Sequence, residues 1–510
     1  MHFGTAAAEF DVVVIGAGLG GLSAAAACAR AGRSVFVVDA QDGPGGYAHA
    51  FRRGPYRFDP AVHVTSLAHE GEVLYEYLRA LGALDAVEFL DLDEFYGVEL
   101  PGFRMRVPHG VDAFIEAHAE RWPAQRAGIR AVVRLCQEVF EESQQLSTRT
   151  SWRDLDEAVR TSPLMFEHRL STVDDVMDRF VTDGKARSAL SALWPYMGVP
   201  PSRLTFTGFC SMLMSMVRRG PSYCRGGFQS LADALAGVVR AAGGLFRYGT
   251  RVTRIVIEGG RAAGVVLADG TLVRAGTVIS NADATTTMHQ LVGAQHLPAN
   301  YVRRLGRLTP SWSAFVLFAA TTLDLAELAP AHETFVFDHW DHDVSEAAIG
   351  QGQRGGMWLS VPSLVDPGMA PPGEHTVVFS TLARADCPRW GDRKVEFELG
   401  MLERLERLLP GITGTLTFLD SATPRTLCRY TGNQAGAIYG WENTPRQSQP
   451  KRLRCVTPLP GLLLAGHWTE PGAGSFRVIL SGMQAAAVAI GAANQDDFVA
   501  RLLVGAGSRP

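Results

Sequence analysis

Asp11-Val-Val-Val-Ile-Gly-Ala-Gly-Leu-Gly-Gly21, followed by Ser34-Val-Phe-Val-Val-Asp39, is the stretch whose reading decides the fold. The apolar run from Val12 to Ile15 has the composition of a parallel strand buried on both faces. Gly16, Gly18 and Gly21 give the G-x-G-x-x-G spacing, and an Ala-rich helix runs on to Gly32, a natural C-terminal stop. The second strand ends in Asp39, 23 residues after Gly16, where an acid accepts a hydrogen bond from an adenosine ribose. The glycines let backbone approach a pyrophosphate, which rests on the helix N-terminus where free N–H groups and the dipole favour negative charge. An ordinary glycine-rich turn leaves Asp39 unexplained. The register predicts a Rossmann-like dinucleotide site.

Which dinucleotide follows from the next loop. Gln41-Asp-Gly-Pro-Gly-Gly-Tyr47 brings a second glycine pair, Gly45 and Gly46, close behind Asp39. A plain nicotinamide dehydrogenase has no need of it. A fold that buries the whole of FAD uses such glycines to pass near the ribityl-phosphate arm. No later G-x-G-x-x-G ends a strand, so a separate NAD(P) domain is not expected. FAD is.

The closing segment Leu462-Leu-Leu-Ala-Gly-His-Trp-Thr-Glu-Pro-Gly-Ala-Gly-Ser-Phe-Arg-Val-Ile-Leu-Ser-Gly482 reads as strand, glycine-rich loop and helix from about Phe476. Its helix N-terminus can aim N–H groups at the electron-rich edge of a reduced flavin. The expected cofactor contacts are therefore Gly16, Gly18, Gly21, Asp39, Gly45, Gly46, Tyr47, Val252, Gly466, His467, Gly474, Ser475 and Val478.

Between these ends the texture changes. Ile129, Val132, Val133, Cys136, Val139 and Phe140 recur at helical spacing, and helical patterns continue to about Val217. From Val252 to Val278, apolar runs alternate with turn signals as in a β-meander. Residues 312 to 420 carry strand-like runs and one helix near 394 to 409. The expected fold is α/β, a glutathione-reductase-type FAD domain with an inserted α+β substrate domain. The FAD domain is placed at residues 1–110, 225–290 and 452–495, the substrate domain at 111–224 and 291–451, and a tail at 496–510.

Bulk properties fit a soluble enzyme. The 510 residues are 46% hydrophobic with a net charge of −4, which gives no reason to expect nucleic acid as partner. The basic residues are nearly all arginine; Lys185, Lys394 and Lys451 are the three lysines, a bias fitting a GC-rich bacterial genome. Seven cysteines without a C-x-x-C pair suggest reduced thiols in a cytoplasm. The early first strand leaves no room for a signal peptide, and no apolar run has the length of a membrane span.

The chain resembles the flavoprotein family of phytoene desaturases, carotenoid isomerases and retinol saturases. The motifs that carry the resemblance are the opening fingerprint, Gly45-Gly46, Phe58-Asp59, Gly220-Pro-Ser-Tyr-Cys-Arg-Gly-Gly-Phe-Gln-Ser-Leu231, Val278-Ile-Ser-Asn-Ala-Asp283, Asp366-Pro-Gly-Met-Ala-Pro-Pro-Gly-Glu-His375, Gly436-Ala-Ile-Tyr-Gly440 and the closing segment. The Asp366 and Gly436 motifs point to the isomerase-like and saturase-like branch rather than to amine oxidases. The resemblance implies noncovalent FAD and a tunnel for a long apolar substrate. Three departures stand out: Tyr47-Ala48 where relatives often place Arg or Lys, His467 where many place an acid, and Asp39 for the commoner Glu.

Desaturation, saturation and isomerisation of a polyene all need the flavin, dryness and a shaped apolar tunnel, and none demands a dedicated triad. The catalytic residue is therefore left unknown. His63, Tyr439 and His467 are weak acid/base candidates, for which support of the cofactor is the favoured alternative. Met212, Met214, Met216 and Trp441 are candidates for the tunnel wall, the alternative for the methionines being an ordinary buried helix. His339-Trp-Asp-His-Asp343 resembles a metal-ligand run but reads better as a solvated loop, so no metal is expected. Arg218-Arg219 could touch lipid headgroups in a peripheral membrane contact. Substrate identity, electron acceptor and oligomeric state stay open. Two other functions remain beside polyene desaturation or isomerisation: tailoring of a polyketide, peptide or acyl chain, and a catalytically silent flavin binder.

Overall fold

Val12 to Ile15, all four buried, form the C-terminal half of a strand, Ala8–Ile15. On one side it pairs in parallel with Val35–Val38, which in turn pairs with Leu245–Arg247. On the other it pairs in parallel with Leu272–Ser280. This last strand serves two neighbours in succession. Its first half continues the antiparallel meander Val252–Glu258 and Arg261–Leu267, and its second half pairs with Leu462–Leu464 from the far end of the chain. The computed structural model describes residues 8–148, 159–326, 328, 331–385, 390–448 and 451–504.

The helix after the first strand, Leu19–Arg30, is short-chained because it must be. It crosses the C-terminal helix Ser475–Ala489 so closely that a Cβ on Gly482 would lie 2.1 Å from the Gly20 carbonyl oxygen. Ser23 Oγ also donates across the crossing to the Ile479 carbonyl at 3.1 Å. A Cβ on Gly21 would lie 2.0 Å from the Gly16 oxygen, so the third glycine of the motif sets the seat of helix on strand.

A second sheet stands over the first. Among the described residues its strand order is Leu416–Ala422, Ser313–Thr321, His375–Ala383, Gly355–Ser360, Glu333–Val336, Tyr96–Leu100 and Phe103–Val107. One face packs on helix Trp390–Leu408 through Phe315, Phe397 and Met401. The other face looks toward the nucleotide sheet. Helices Val111–Arg121, Arg126–Thr148 and Phe206–Val217 flank it, and the helical repeat Ile129 to Phe140 is buried throughout.

Two expected boundaries move. Residues 96–107, placed with the nucleotide unit, form the edge hairpin of the second sheet, because Thr334 to Val336 pair in parallel with Gly97 to Glu99. Residues 496–504, placed in the tail, belong to a helix, Gln495–Val504, that buries Phe498 and Leu502. The rest of that tail, Gly505 to Pro510, lies outside the described residues.

The quoted motifs converge on one loop. Asp59 is fully buried, accepting from the Tyr223 hydroxyl and from the Phe228 amide at 3.0 Å. Burial raises its carboxyl to about 7 despite these bonds. Asp366 accepts from the Gly226 amide at 2.6 Å. Phe58-Asp59, Gly220 to Leu231 and Asp366-Pro-Gly are thus one clasp joining the two sheets.

Candidate functional site

Between the sheets lies a cavity with about 2230 Å³ free of atoms, part of it open to solvent. Its floor is the nucleotide loop. Gly16, Gly18, Gly20, Asp39, Gly45 and Gly46 all line it, and Gly18 bridges to Gly45 in parallel register. A Cβ on Gly46 would come within 3.1 Å of the Gly18 Cα, so two stretches of bare backbone form the wall. Val252, Gly466, His467, Gly474, Ser475 and Val478 complete the expected contacts on the cavity. Gly21 does not line it; packed against the Gly16 carbonyl, it holds the loop from behind.

Two features of this floor ask for a ligand. Helices Leu19–Arg30 and Ser475–Ala489 both open on a glycine, Gly18 and Gly474, with no side-chain cap, and both starts border the cavity. Uncapped N-termini leave free N–H groups that a phosphate or a carbonyl oxygen satisfies. Ser475, whose hydroxyl might have served locally, is 2.7 Å from Thr65 Oγ1 instead. Asp39 is held by the Ala17 amide at 2.6 Å and the Gln41 amide at 2.7 Å, and retains acceptor capacity toward the cavity. These residues fit FAD: a pyrophosphate at the first helix, a ribose at Asp39 and a flavin carbonyl edge at the second.

The sequence reading missed Asn281, the centre of this floor. Cβ atoms built on Gly18, Gly20 and Gly466 would each come within 3 Å of its side-chain amide. Three glycines that surround one side chain were legible only as separate motifs.

Tyr47, standing where relatives often carry a base, donates its hydroxyl to the Ala437 carbonyl at 3.1 Å and accepts from Asn433 Nδ2. It therefore ties the second glycine loop to the segment carrying the Gly436 motif. Burial pushes its phenol up to about 12, so it contributes no charge.

His467 lines the cavity beside Tyr47, with ring centroids 5.9 Å apart. Burial, and then the nearby Arg452, hold its imidazole down at about 3. His467 therefore contributes no positive charge to the cavity near pH 7. Arg452 itself is spent on the loop, donating to the Tyr439 carbonyl at 2.7 Å and the His467 carbonyl at 2.9 Å.

The upper wall is built from the second sheet and the inserted helices. Ala314, Val316, Trp358 and Ser380 project from the sheet, with Tyr196, Tyr439, Met212 and Met216 around them. His63 lines the cavity, but both its nitrogens look inward. Nε2 lies 3.2 Å from the Asp59 carbonyl, and Nδ1 lies 3.8 Å from Glu333 Oε1. Nε2 is therefore engaged by backbone, whereas Nδ1 is beyond hydrogen-bond distance of Glu333. The His63–Glu333 contact is not an ion pair either. Burial drives the histidine down to about 3 and the carboxyl up to about 8, so both are neutral near pH 7. Tyr439 is raised further, first by burial and then by Glu333.

Two wall candidates are displaced. Met214 does not line the cavity: alternate positions of a helix point apart, and its side chain is fully buried in the core. Trp441 packs edge-on against Trp468 at 4.6 Å and donates to the Trp468 carbonyl at 3.0 Å, so it is core rather than wall. The 339–343 run is not a solvated loop throughout, since Asp341 caps helix His342–Gly350 and His342 is buried against the Ser188 carbonyl. No helix among the described residues is long and apolar enough to cross a membrane.

A family model described as flavin containing amine oxidoreductase matches residues 19–490. The chain is similar to a neurosporene-forming phytoene desaturase of Rhodobacter capsulatus, 30% identical over 92% of this chain and 92% of that one. It is similar to the chloroplastic prolycopene isomerase 2 of an Oncidium hybrid cultivar, 26% identical over 94% of this chain and 84% of that one. Its fold matches that of cyclohexylamine oxidase from Brevibacterium oxydans, with a TM-score of 0.61 over 97% of this chain and 99% of that one at 15% identity.

Proposed function

The chain belongs to the flavin containing amine oxidoreductases, and from that premise we propose that it desaturates or isomerises carbon–carbon double bonds of a long apolar polyene, holding FAD noncovalently. The carrying observation is that the ionisable groups of the upper wall are neutral near pH 7. Ala314, Val316, Met212, Met216, Trp358 and Ser380 bear no charge, His63 is held down at about 3, and burial keeps Tyr196 and Tyr439 protonated. Such a wall suits a hydrocarbon chain and gives no counter-ion to a protonated amine. The two relatives, a phytoene desaturase and a prolycopene isomerase, supply the substrate class by similarity.

FAD, when bound, accepts or returns the hydride that such chemistry requires. The rest is done by the chain. Gly16 to Gly20 and the start of helix Leu19–Arg30 hold the phosphates, Asp39 the ribose, and the start of helix Ser475–Ala489 the flavin edge. The clasp at Asp59 and Asp366 ties the second sheet to the segment 226–228 beside that floor. Met212 and Met216 give a wall that adapts to a flexible chain. His63 is a structural residue here, and Tyr439 and His467 orient what lies beside them.

The test is anaerobic incubation of flavin-loaded protein with phytoene-like and prolycopene-like polyenes. Desaturation bleaches the flavin and yields a product two hydrogens lighter; isomerisation yields a product of equal mass and requires prior reduction. Turnover of a small primary amine, with neither polyene changed, overturns the reading.

A further inference from the structure

We propose that Arg477, a buried guanidinium without a counter-ion, is the cation that stabilises the negative charge of reduced flavin at the start of helix Ser475–Ala489. The inference rests on FAD binding and not on the polyene reading, and it assigns to one residue of this chain the setting of the flavin's potential.

Arg477 is 7% exposed, lines the cavity and stands in the first turn of that helix. Its stem folds back along the opening glycine: a Cβ on Gly474 would lie 3.6 Å from Arg477 Cδ and 3.8 Å from its Cγ. The guanidinium carbon sits 5.7 Å from the centroid of the Phe476 ring. Gly474, Ser475, Phe476 and Val478 all border the cavity. The charge is thus placed beside the helix start, although Nη2 itself is buried.

Among the described residues no group neutralises it. Nη2 has no hydrogen-bond partner, and no carboxylate pairs with the guanidinium. Burial alone lowers it, to about 10, so it stays charged at pH 7. An unpaired buried charge is among the costliest features a fold can carry. Its neighbours give no relief. His467 is neutral, and Arg452 has the same sign, with its N–H groups given to the Tyr439, Trp441 and His467 carbonyls. Glu470 acts on Arg452 and is itself raised to about 7 by burial. Arg251, the other arginine lining the cavity, is exposed, and its charge acts on Asp39 instead.

The missing anion has a place in the cofactor's own chemistry. A hydride, two electrons and one proton, arriving at flavin N5 leaves a full negative charge on the N1–C2=O edge, the edge that an uncapped helix start suits. The helix offers only a partial positive charge. Arg477 adds a whole one in a medium of low dielectric, and a charge acts there without direct contact. It eases hydride uptake, which desaturation needs, and favours the reduced flavin, which isomerisation needs.

The experiment measures the flavin midpoint potential by dye equilibration, and the sulfite affinity of the flavin, in FAD-loaded wild type, Arg477→Lys and Arg477→Met. Sulfite adds to N5 and leaves the same negative charge on the N1–C2=O edge without any substrate. A nearby opposite charge favours an ionised form by about ten- to a thousandfold. Arg477→Met should therefore weaken sulfite binding about tenfold and lower the midpoint by about 30 mV, that tenfold converted for a two-electron couple. Arg477→Lys keeps the charge and should stay near the wild type. An unchanged midpoint in flavin-loaded Arg477→Met overturns the proposal, whatever the sulfite result. An equal shift in Arg477→Lys and Arg477→Met also overturns it, since packing rather than charge would then set the potential. If Arg477→Met loses its flavin, Arg477→Gln is read in the same way. Loss from both makes the arginine a binding residue and overturns the proposal while FAD binding stands. Wild-type protein that takes up no flavin overturns the FAD reading together with it.

Discussion

The floor and the upper wall of the cavity are made in different ways. The floor is mostly backbone: Gly16, Gly18, Gly20, Gly45, Gly46, Gly466 and Gly474, with two uncapped helix starts and the carboxylates of Asp39 and Asp283. The wall is side chain: Trp358, Ser380, Tyr196, Tyr439 and two methionines, brought together from two stretches, 196–216 and 358–439, that are more than a hundred residues apart. Backbone recognition admits almost no variation, because a Cβ at the wrong place meets main chain that cannot move. Side-chain recognition tolerates exchange and is where a family fits new substrates to one cofactor. The floor should therefore break abruptly and the wall by degrees.

The largest effect is expected at Gly21. In Gly21→Val the new Cβ would start 2.0 Å from the Gly16 oxygen, and strand and helix would have to part. The cost should exceed about 3 kcal/mol, the upper end for overpacking a core. Purified protein should lack flavin absorbance and melt well below the wild type. A yellow protein with an unchanged melting temperature would show that the floor is more pliable than its glycines imply.

Next comes Asp39→Ala. It strands the Ala17 and Gln41 amides and removes the ribose acceptor. A loss of about 2–3 kcal/mol is expected, on the order of a hundredfold in flavin Kd. Titration of apoprotein with FAD measures it.

The wall can be probed through pH. An acid whose carboxyl is raised on folding stays protonated while the unfolded chain ionises, so Glu333 costs stability as pH rises from 4.5 to about 8. His63 works in the opposite sense. Held neutral in the fold from about 3 upward, it gains stability as pH rises to 6.5. The two offset each other between 4.5 and 6.5, and above 6.5 only the Glu333 decline remains. From there to pH 8 the wild type should lose about 2 kcal/mol relative to Glu333→Gln. Denaturant unfolding of both proteins at the two pH values gives the difference. Parallel curves would mean that Glu333 is already ionised in the fold.

The same contrast explains what could be read in the chain. The floor was legible because a backbone in close approach accepts only glycine, and Gly16, Gly18, Gly45, Gly466 and Gly474 stand at spacings that no other use explains together. The exception is Asn281, quoted within a motif but not as a site residue, because an asparagine has many uses and Gly18, Gly20 and Gly466 are all remote from it in sequence. The wall was scarcely legible. Trp358 and Ser380 lie in apolar strands whose partners are set by sheet register, and an alternating run does not say which strand will pair with it. Residues 96–107 joined the second sheet for the same reason, through a parallel pairing with Glu333–Val336 that no local pattern signals. Met212 and Met214 share a helix and a composition, and only the helix's rotation puts one on the cavity and the other in the core.

The smallest effect separates wall from core at Trp441. Its motif position suggested a substrate-facing residue, but its ring lies against Trp468 and its N–H on the Trp468 carbonyl. Trp441→Phe keeps most of the packing and deletes one buried hydrogen bond, a cost of about 1 kcal/mol. The melting temperature should fall by only about one degree, since a chain of this length shifts little per kcal/mol. Flavin content and polyene KM should not change, because neither ligand reaches the indole. A Trp441→Phe variant with altered KM and unaltered melting would return the residue to the wall and make the Trp441–Trp468 pair part of the substrate site.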